Sequence, residues 1–250
     1  MALDPALYLL PVGISDAPVD TVIPPRNLEV ASQIRHFIVE NVRTARRWLR
    51  RCDPAYPIEE CEFYELNRHT RPEDVSGFLA PLRRGVPVGV MSEAGCPAVA
   101  DPGADVVAIA QREGMKVVPL VGPSSILMSL MGSGFNGQGF AFHGYLPVEP
   151  SLKASALREL ENESSRRDMT QIFIETPYRN DKTVALMAST LRPDTMMCVA
   201  CDITDPLRQE IVSLPASKWR GRAGSFDKRP AIFLIYRRPM RPVKTSDRKK

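Results

Sequence analysis

The 250-residue sequence has few of the features that would place a chain in a membrane, around a metal or on a nucleoside triphosphate. No stretch approaches the ~18 uninterrupted apolar residues of a membrane-spanning helix. The longest candidates, Ala6 to Ile14 and Ala231 to Tyr236, are strand-sized. The N-terminus shows no basic stretch leading into a long apolar segment and a small-residue cleavage site, so no secretory signal is read there and the expected location is the cytoplasm. Only three histidines occur, His36, His69 and His143, and they do not cluster. The five cysteines are odd in number, which argues against a disulfide scaffold. Cys198 and Cys201 form a C-x-x-C, but Met196 to Ile203 reads as a buried strand, in which positions three apart face opposite ways. A metal site is therefore not expected. Neither G-x-x-x-x-G-K-[ST] nor G-x-G-x-x-G is present, which leaves ATP, GTP and NAD chemistry without support.

What the chain does have is enough apolar sequence, 44%, to fill one or two cores, and an unusual 23 prolines. The prolines recur where apolar runs end, at Pro11, Pro87, Pro119, Pro147, Pro177, Pro193, Pro215 and Pro230, as expected of residues that donate no ladder hydrogen bond. The net charge of +4 conceals a division: residues 217–250 hold twelve Lys and Arg against two Asp, or +10, and the remainder carries −6.

Along the chain, strand-like runs alternate with helical ones. Leu7 to Pro11, Val86 to Met91 and Lys116 to Leu120 read as strands. Between the last two lies a helix read as starting at Asp101 as N-cap with Pro102 first inside, and stopped by Gly114. That βαβ unit implies parallel strands. Phe37 to Val39 is a short apolar run flanked by helix between Leu28 and Arg50. Further on, Phe140 to Tyr145, Gln171 to Ile174, Met196 to Ile203, Gln209 to Leu214 and Ala231 to Tyr236 are strand-like, with helices at Lys153 to Ser164 and Asp181 to Thr190. The expectation is an α/β protein of two α/β domains, the first with a mainly parallel sheet (1–120) and the second with a mixed sheet (121–240), followed by a basic, disordered tail at 241–250.

Two loops stand out, Ser92 to Gly103 and Gly122-Pro123-Ser124-Ser125. Each would leave the carboxyl end of a parallel strand, the rim where open α/β sheets bind ligands. Glycine there admits a ligand close to backbone, and serine at a helix start offers hydroxyl and free N–H groups. Glu175-Thr176-Pro177-Tyr178 follows its strand in the same way.

These loops carry a resemblance. Leu7 to Pro11, the string Ser92-Glu93-Ala94-Gly95-Cys96-Pro97 through Asp101-Pro102-Gly103, Val118 to Ser124, Gly144 to Pro147 and Phe173 to Arg179 resemble the ordered motifs of the tetrapyrrole (corrin/porphyrin) methylase superfamily. The branch most resembled contains the ribosomal RNA small-subunit (cytidine-2′-O-)-methyltransferases. The resemblance implies a homodimer that binds S-adenosylmethionine in the cleft between its two domains. Carried over by position, it implies cofactor contacts at Ser92, Glu93, Ala94, Gly95, Gly122, Pro123, Ser124, Ser125, Glu175, Thr176, Ala200, Pro230 and Ala231. On that reading Gly95→Val and Gly122→Val would remove cofactor binding and leave the fold. The sequence departs from the RNA-modifying branch at Pro11 to Asp16, at Glu40-Asn41-Val42-Arg43 and at Cys201 to Thr204. The motifs expected to face substrate are thus the altered ones.

A sulfonium-bound methyl group is already electrophilic, so the chain's task is alignment and, for a hydroxyl acceptor, removal of a proton. Glu40, Glu93 and His69 are candidate bases; Glu40 is preferred, with Arg43 placed to orient it. Arginines crowd residues 35–51, and Arg46, Arg47, Arg50 and Arg51 around Trp48 suggest a face that neutralises RNA phosphates while the indole stacks on a base. The tail adds Arg241, Lys244, Arg248, Lys249 and Lys250. The leading expectation is ribose 2′-O-methylation of ribosomal RNA. The alternatives are a methylase of a small molecule such as a tetrapyrrole, and a non-catalytic RNA-binding protein that retains the fold.

Overall fold

A computed structural model describes residues 2–222 and 225–239. The basic tail expected at 241–250 lies outside them. The chain forms two compact units, one of Met1–Ser125 with Thr204–Pro206, the other of Ile126–Ile203 with the described residues from Leu207 on. The division falls at Ser125 rather than at Leu120.

The first unit contains β1 (Leu7–Leu9), α1 (Val19–Val22), α2 (Pro25–Ala31), β2 (His36–Val39), α3 (Val42–Cys52), β3 (Glu62–Glu65), α4 (Pro72–Val75), α5 (Ala80–Arg83), β4 (Val88–Met91), α6 (Gly103–Arg112) and β5 (Val117–Pro119). Its five strands run in the order β3-β2-β4-β1-β5 and are all parallel. β4 and β5 are thus the two ends of the expected βαβ unit, with β1 between them. Alternation sends Leu7, Leu9, Val88 and Val90 into one buried cluster and Tyr8, Leu10, Phe37 and Met91 into another on the opposite face. A parallel sheet covered on both faces needs such runs, which is why the strands read as continuous apolar sequence.

The start of α6 differs from the expectation by one residue. Pro102 is the N-cap and Gly103 the first helical residue, while Asp101 sits outside the helix and accepts from the Gly103 and Ala98 amides at 2.6 and 3.0 Å. Asp101 still caps, but across a turn in which Ala98 and Ala100 hold positive φ. β3 and the helices of residues 72–83 had no expectation; Glu62-Phe63-Tyr64-Glu65 lies on a sheet edge with an exposed glutamate at each end and never becomes an apolar run.

The second unit contains most of α7 (Ser125–Ser133), then β6 (Phe140–Tyr145), α8 (Pro150–Arg167), β7 (Thr170–Ile174), α9 (Asn180–Thr190), β8 (Met196–Cys201), β9 (Glu210–Pro215), α10 (Ala216–Trp219) and β10 (Ala231–Tyr236). Its strand order is β6-β7-β10-β8-β9. β6 and β7 are parallel, and β10 runs antiparallel to both neighbours, as β9 does to β8. One face packs Phe173, Val199, Cys201 and Phe233 against Leu157 and Leu160 of α8 and Met187 of α9. On the other, Gly132 of α7 lies against Ile211, and the Ser213 hydroxyl donates to the Ser133 carbonyl at 2.7 Å. Cys198 and Cys201 are free and fully buried, and only Cys201 belongs to the first of these clusters, so the C-x-x-C points both ways. Among the described residues no helix is long and apolar enough to cross a membrane.

Candidate functional site

At the carboxyl edge of the parallel sheet the first unit opens a cleft of about 840 Å³. Three stretches line it: Val12 to Asp16 after β1, Thr44 to Arg51 of α3, and Met91 to Ala94 after β4. Each leaves or follows a strand that the pairing of β1, β4 and β2 holds side by side. Asn41 fixes the angle of the helical wall, its side-chain oxygen capping α3 through the Arg43 and Thr44 amides at 2.9 and 3.2 Å.

The two glycine loops are bound to each other and to the β1 loop. Val12 and Gly95 form an antiparallel bridge, with the Val12 amide donating to the Gly95 carbonyl at 3.0 Å. The Cys96 thiol, pushed up by burial and so held as a thiol, lies 3.4 Å from the Pro123 carbonyl that accepts from it. Asn27 donates to the Val121 carbonyl at 2.8 Å. Gly95 has φ +76°, and a Cβ added there would meet Ile14 and the Pro123 carbonyl at 3.3 Å. At Gly122 a Cβ would stand 2.1 Å from that of Pro11.

These glycines therefore admit neighbouring backbone loops of the chain itself, which corrects the expectation that valine at either would spare the fold. Gly122→Ala should destabilise by about 1–3 kcal/mol through overpacking. Gly137→Ala, with nothing within 4 Å, should leave the melting temperature nearly unchanged. Equal melting curves for the two variants would refute the packing role.

Of the residues expected to contact a cofactor, Ser92, Glu93 and Ala94 line the cleft, Gly95, Gly122 and Pro123 hold its rim together, and Ser125 opens α7. Ser124 is engaged within the structure. Polar lining from Ser15, Thr44, Ser92 and Glu93 on an apolar floor of Val12, Ala45 and Met91 suits a nucleoside-sized polar molecule.

The remaining expected residues gather at one end of the second sheet, because Ile232 pairs with both Ile174 and Ala200. Thr176 follows β7, Pro230 and Ala231 open β10, and the Pro230 carbonyl accepts from the Asp202 amide at 3.0 Å. Glu175 is different. Its carboxylate accepts from Lys153, from Arg179 at 2.7 and 3.0 Å and from the Thr176 amide at 2.7 Å. Burial alone would raise it, but these donors outweigh burial and hold the carboxyl at about 2. Only its backbone is left for a ligand.

The candidate bases separate by position. His69 is exposed on the loop after β3, with Arg68 donating to its ring. Glu93 lines the cleft and accepts from the Thr44 hydroxyl. Glu40 lies just after β2 and is raised above the usual carboxylate range by burial and by the carboxylates of Asp101 and Glu93, an amide hydrogen bond from Glu93 opposing. Among the described residues it forms no ion pair with Arg43, so the expected orienting pair is replaced by an acidic trio in which one Asp101 oxygen is buried without a partner.

The arginine face also differs from expectation. Arg46 stands over the Phe63 ring, Arg50 donates to the Pro54 carbonyl at 3.1 Å, and Arg51 donates to the Asp16 and Ala17 carbonyls at 2.7 and 2.5 Å. Only Arg47, of the four, lines the cleft without a hydrogen bond or ion pair among the described residues. Counting arginines cannot separate those that clasp the chain from those that face solvent.

No family model matches the chain. It is 27% identical over 235 residues to ribosomal RNA small subunit methyltransferase I of Vibrio cholerae, covering 93% of this chain and 77% of that protein. With the proteins of that name from Mesorhizobium japonicum and Neisseria meningitidis serogroup B it shares 31% and 34% identity, over 81% and 72% of this chain. The aligned region spans only 65% and 58% of those two relatives. Among solved structures, the methyltransferase CobJ superimposes with a TM-score of 0.60 over 95% of each chain at 16% identity, a likeness of fold.

Proposed function

We propose that the chain, similar to ribosomal RNA small subunit methyltransferase I, is a methyltransferase of the tetrapyrrole methylase family and that it methylates a ribose 2′-hydroxyl of ribosomal RNA with S-adenosylmethionine. The observation that supports this reading best is the cleft at the carboxyl edge of β1, β2 and β4, walled on one side by the Ser92–Ala94 turn and on the other by the basic, aromatic face of α3.

Ser92, Glu93 and Ala94, backed by the knot of Gly95, Gly122 and Pro123, would hold the cofactor in the first unit, with Ser124 and Ser125 as further contacts. The bound cofactor supplies a methyl group on a positively charged sulfur. The chain's own work is to align the acceptor oxygen and take its proton. That role falls to the carboxylate pair at the rim, with Glu93 facing the cleft and Glu40 behind it. The carboxylate would take the hydroxyl proton as the acceptor oxygen is methylated.

The active form on this reading is a homodimer in the cytoplasm, where small ribosomal subunits are found. Supporting a second copy, the second unit leaves Leu127 and Met131 of α7 and Phe140 and Tyr145 of the edge strand β6 exposed. Light scattering should give twice the 27.8 kDa chain mass, and Met131→Asp should shift it towards one chain. A monomeric parent would dismiss the dimer.

Incubation with methyl-labelled cofactor and small ribosomal subunits, assembled or immature, should place label in RNA at a site that resists alkaline cleavage, as a blocked 2′-hydroxyl must. Label in base-sensitive positions would move the acceptor atom, and absence of label in every RNA would overturn the assignment.

A further inference from the structure

Thr44, Arg47, Trp48 and Arg51 stand at i, i+3, i+4 and i+7 of α3, one face of a helix, and this face is the cleft wall. Its polar groups are unequally engaged. The Thr44 hydroxyl is directed to Glu93, and Arg51 is held by the Asp16 and Ala17 carbonyls and by the Asp16 carboxylate at 3.6 Å. Among the described residues Arg47 is the wall's one unengaged cation. The Trp48 indole is fixed on two sides: its edge rests on Gly13, where even a Cβ would come within 3.0 Å, and the Arg51 guanidinium stands 5.7 Å from its ring centroid. Arg51, expected to meet RNA, thus clamps the β1 loop and the indole in place. The result is a preset aromatic surface beside a single free guanidinium.

We propose that this wall is a one-nucleotide subsite, in which a base of single-stranded RNA stacks on Trp48 and its adjoining phosphate pairs with Arg47. The inference rests on the RNA methyltransferase reading and specifies how α3 presents the acceptor strand to the Ser92–Ala94 rim. An aromatic side chain reads a base only when that base is unstacked, which points to a single strand, loop or bulge rather than a duplex. One free cation, with the Glu93 carboxylate in the same cleft, suits one phosphate and disfavours a polycarboxylate ligand. The subsite binds by stacking assisted by one charge, in place of the four-arginine electrostatic face that composition suggests.

The chain has two tryptophans, and the other, Trp219, is 3% exposed, so Trp48 is a natural reporter. The full-length protein is titrated with a fluorescein-labelled twelve-nucleotide oligocytidylate, read by anisotropy, and with the unlabelled oligomer, read by tryptophan emission. The oligomer should quench the parent. Trp48→Phe should lose the quench and keep affinity within about threefold, because a phenyl ring still stacks. Trp48→Leu, which preserves apolar packing without the ring, should weaken binding by about 5- to 100-fold.

Arg47→Ala should reduce the slope of log affinity against log salt by about 0.7, the share of one phosphate on a single strand. In methyl transfer both losses should appear as a raised KM for RNA with cofactor affinity unchanged. Binding of the oligomer without quench, parent-like affinity in Trp48→Leu, an unaltered salt slope in Arg47→Ala, or equal competition by polyglutamate would each overturn the subsite. If the quench and slope behave as stated but calorimetry detects no cofactor binding, the methyltransferase reading fails and the nucleotide subsite stands.

Discussion

Glu175→Leu is expected to lower stability by about 3–5 kcal/mol, the usual result of stranding one member of a buried ion pair. The side chains of Lys153 and Glu175 are 6% and 4% exposed. Without the carboxylate, the Lys153 ammonium keeps a single neutral partner, the Thr183 hydroxyl at 3.3 Å. Lys153→Met should cost less, because Glu175 retains two bonds from Arg179 and one from the Thr176 amide. The double substitution, which removes both charges and leaves apolar side chains of similar size, should recover most of the loss of Glu175→Leu. Urea unfolding of the four proteins measures this directly, and additive losses would show that the two charges do not act as a pair.

The pH dependence has a definite sign. Glu175 is lowered on folding, so its contribution is present above the ordinary glutamate value and is lost as pH falls towards about 2. The parent's acid unfolding should therefore move to higher pH in Lys153→Met.

This pair also shows where sequence reading stops. Phe173-Ile174-Glu175-Thr176-Pro177 is legible as a strand followed by a loop, and a carboxylate in such a loop reads naturally as a ligand contact. Its partner lies 22 residues earlier, on α8. A signal for it existed: Lys153 falls on the stripe of Leu157, Leu160 and Ser164, which is buried along α8. A lysine at an apolar helical position demands an anion in the core.

The same limit explains the arginines of α3, whose spacing fixes a common face but whose partners, Phe63, Pro54, Asp16 and Ala17, come from loops and an edge strand that periodicity does not place. The buried strands were legible because both faces of each sheet are covered and their runs are apolar throughout. β3 was missed because it lies at an edge, with glutamate at both ends. The glycine loops were legible as loops, but their reason was not, since the close approach of Pro11 to Gly122 depends on which strands are neighbours.

Glu93→Gln should lower kcat by about 10²–10⁴-fold, the usual worth of a positioned general base, with cofactor affinity nearly unchanged. The amide preserves the shape of the cleft wall and can still accept from Thr44, so a loss confined to kcat identifies proton removal. A parent-like kcat would exclude Glu93 as the base.

Glu40→Gln should act in two opposed ways. Burial and the Asp101 and Glu93 carboxylates raise Glu40, so the folded protein holds this proton more tightly than the unfolded chain. A group raised in this way favours the fold at low pH and ceases to do so as pH rises through its folded value. The substituted carboxamide never ionises, so the variant should show a raised melting temperature at neutral pH, with the gain vanishing below the ordinary glutamate range. Activity should move the other way: the ionised Glu40 accepts the Glu93 amide and so fixes the turn that presents the base. The parent's kcat should fall on the acid side as Glu40 takes up its proton, and the variant should show a lower plateau without that limb. Greater stability joined to lost activity is what a functional carboxylate held among like charges predicts. A variant both less stable and fully active would show that Glu40 serves only the fold.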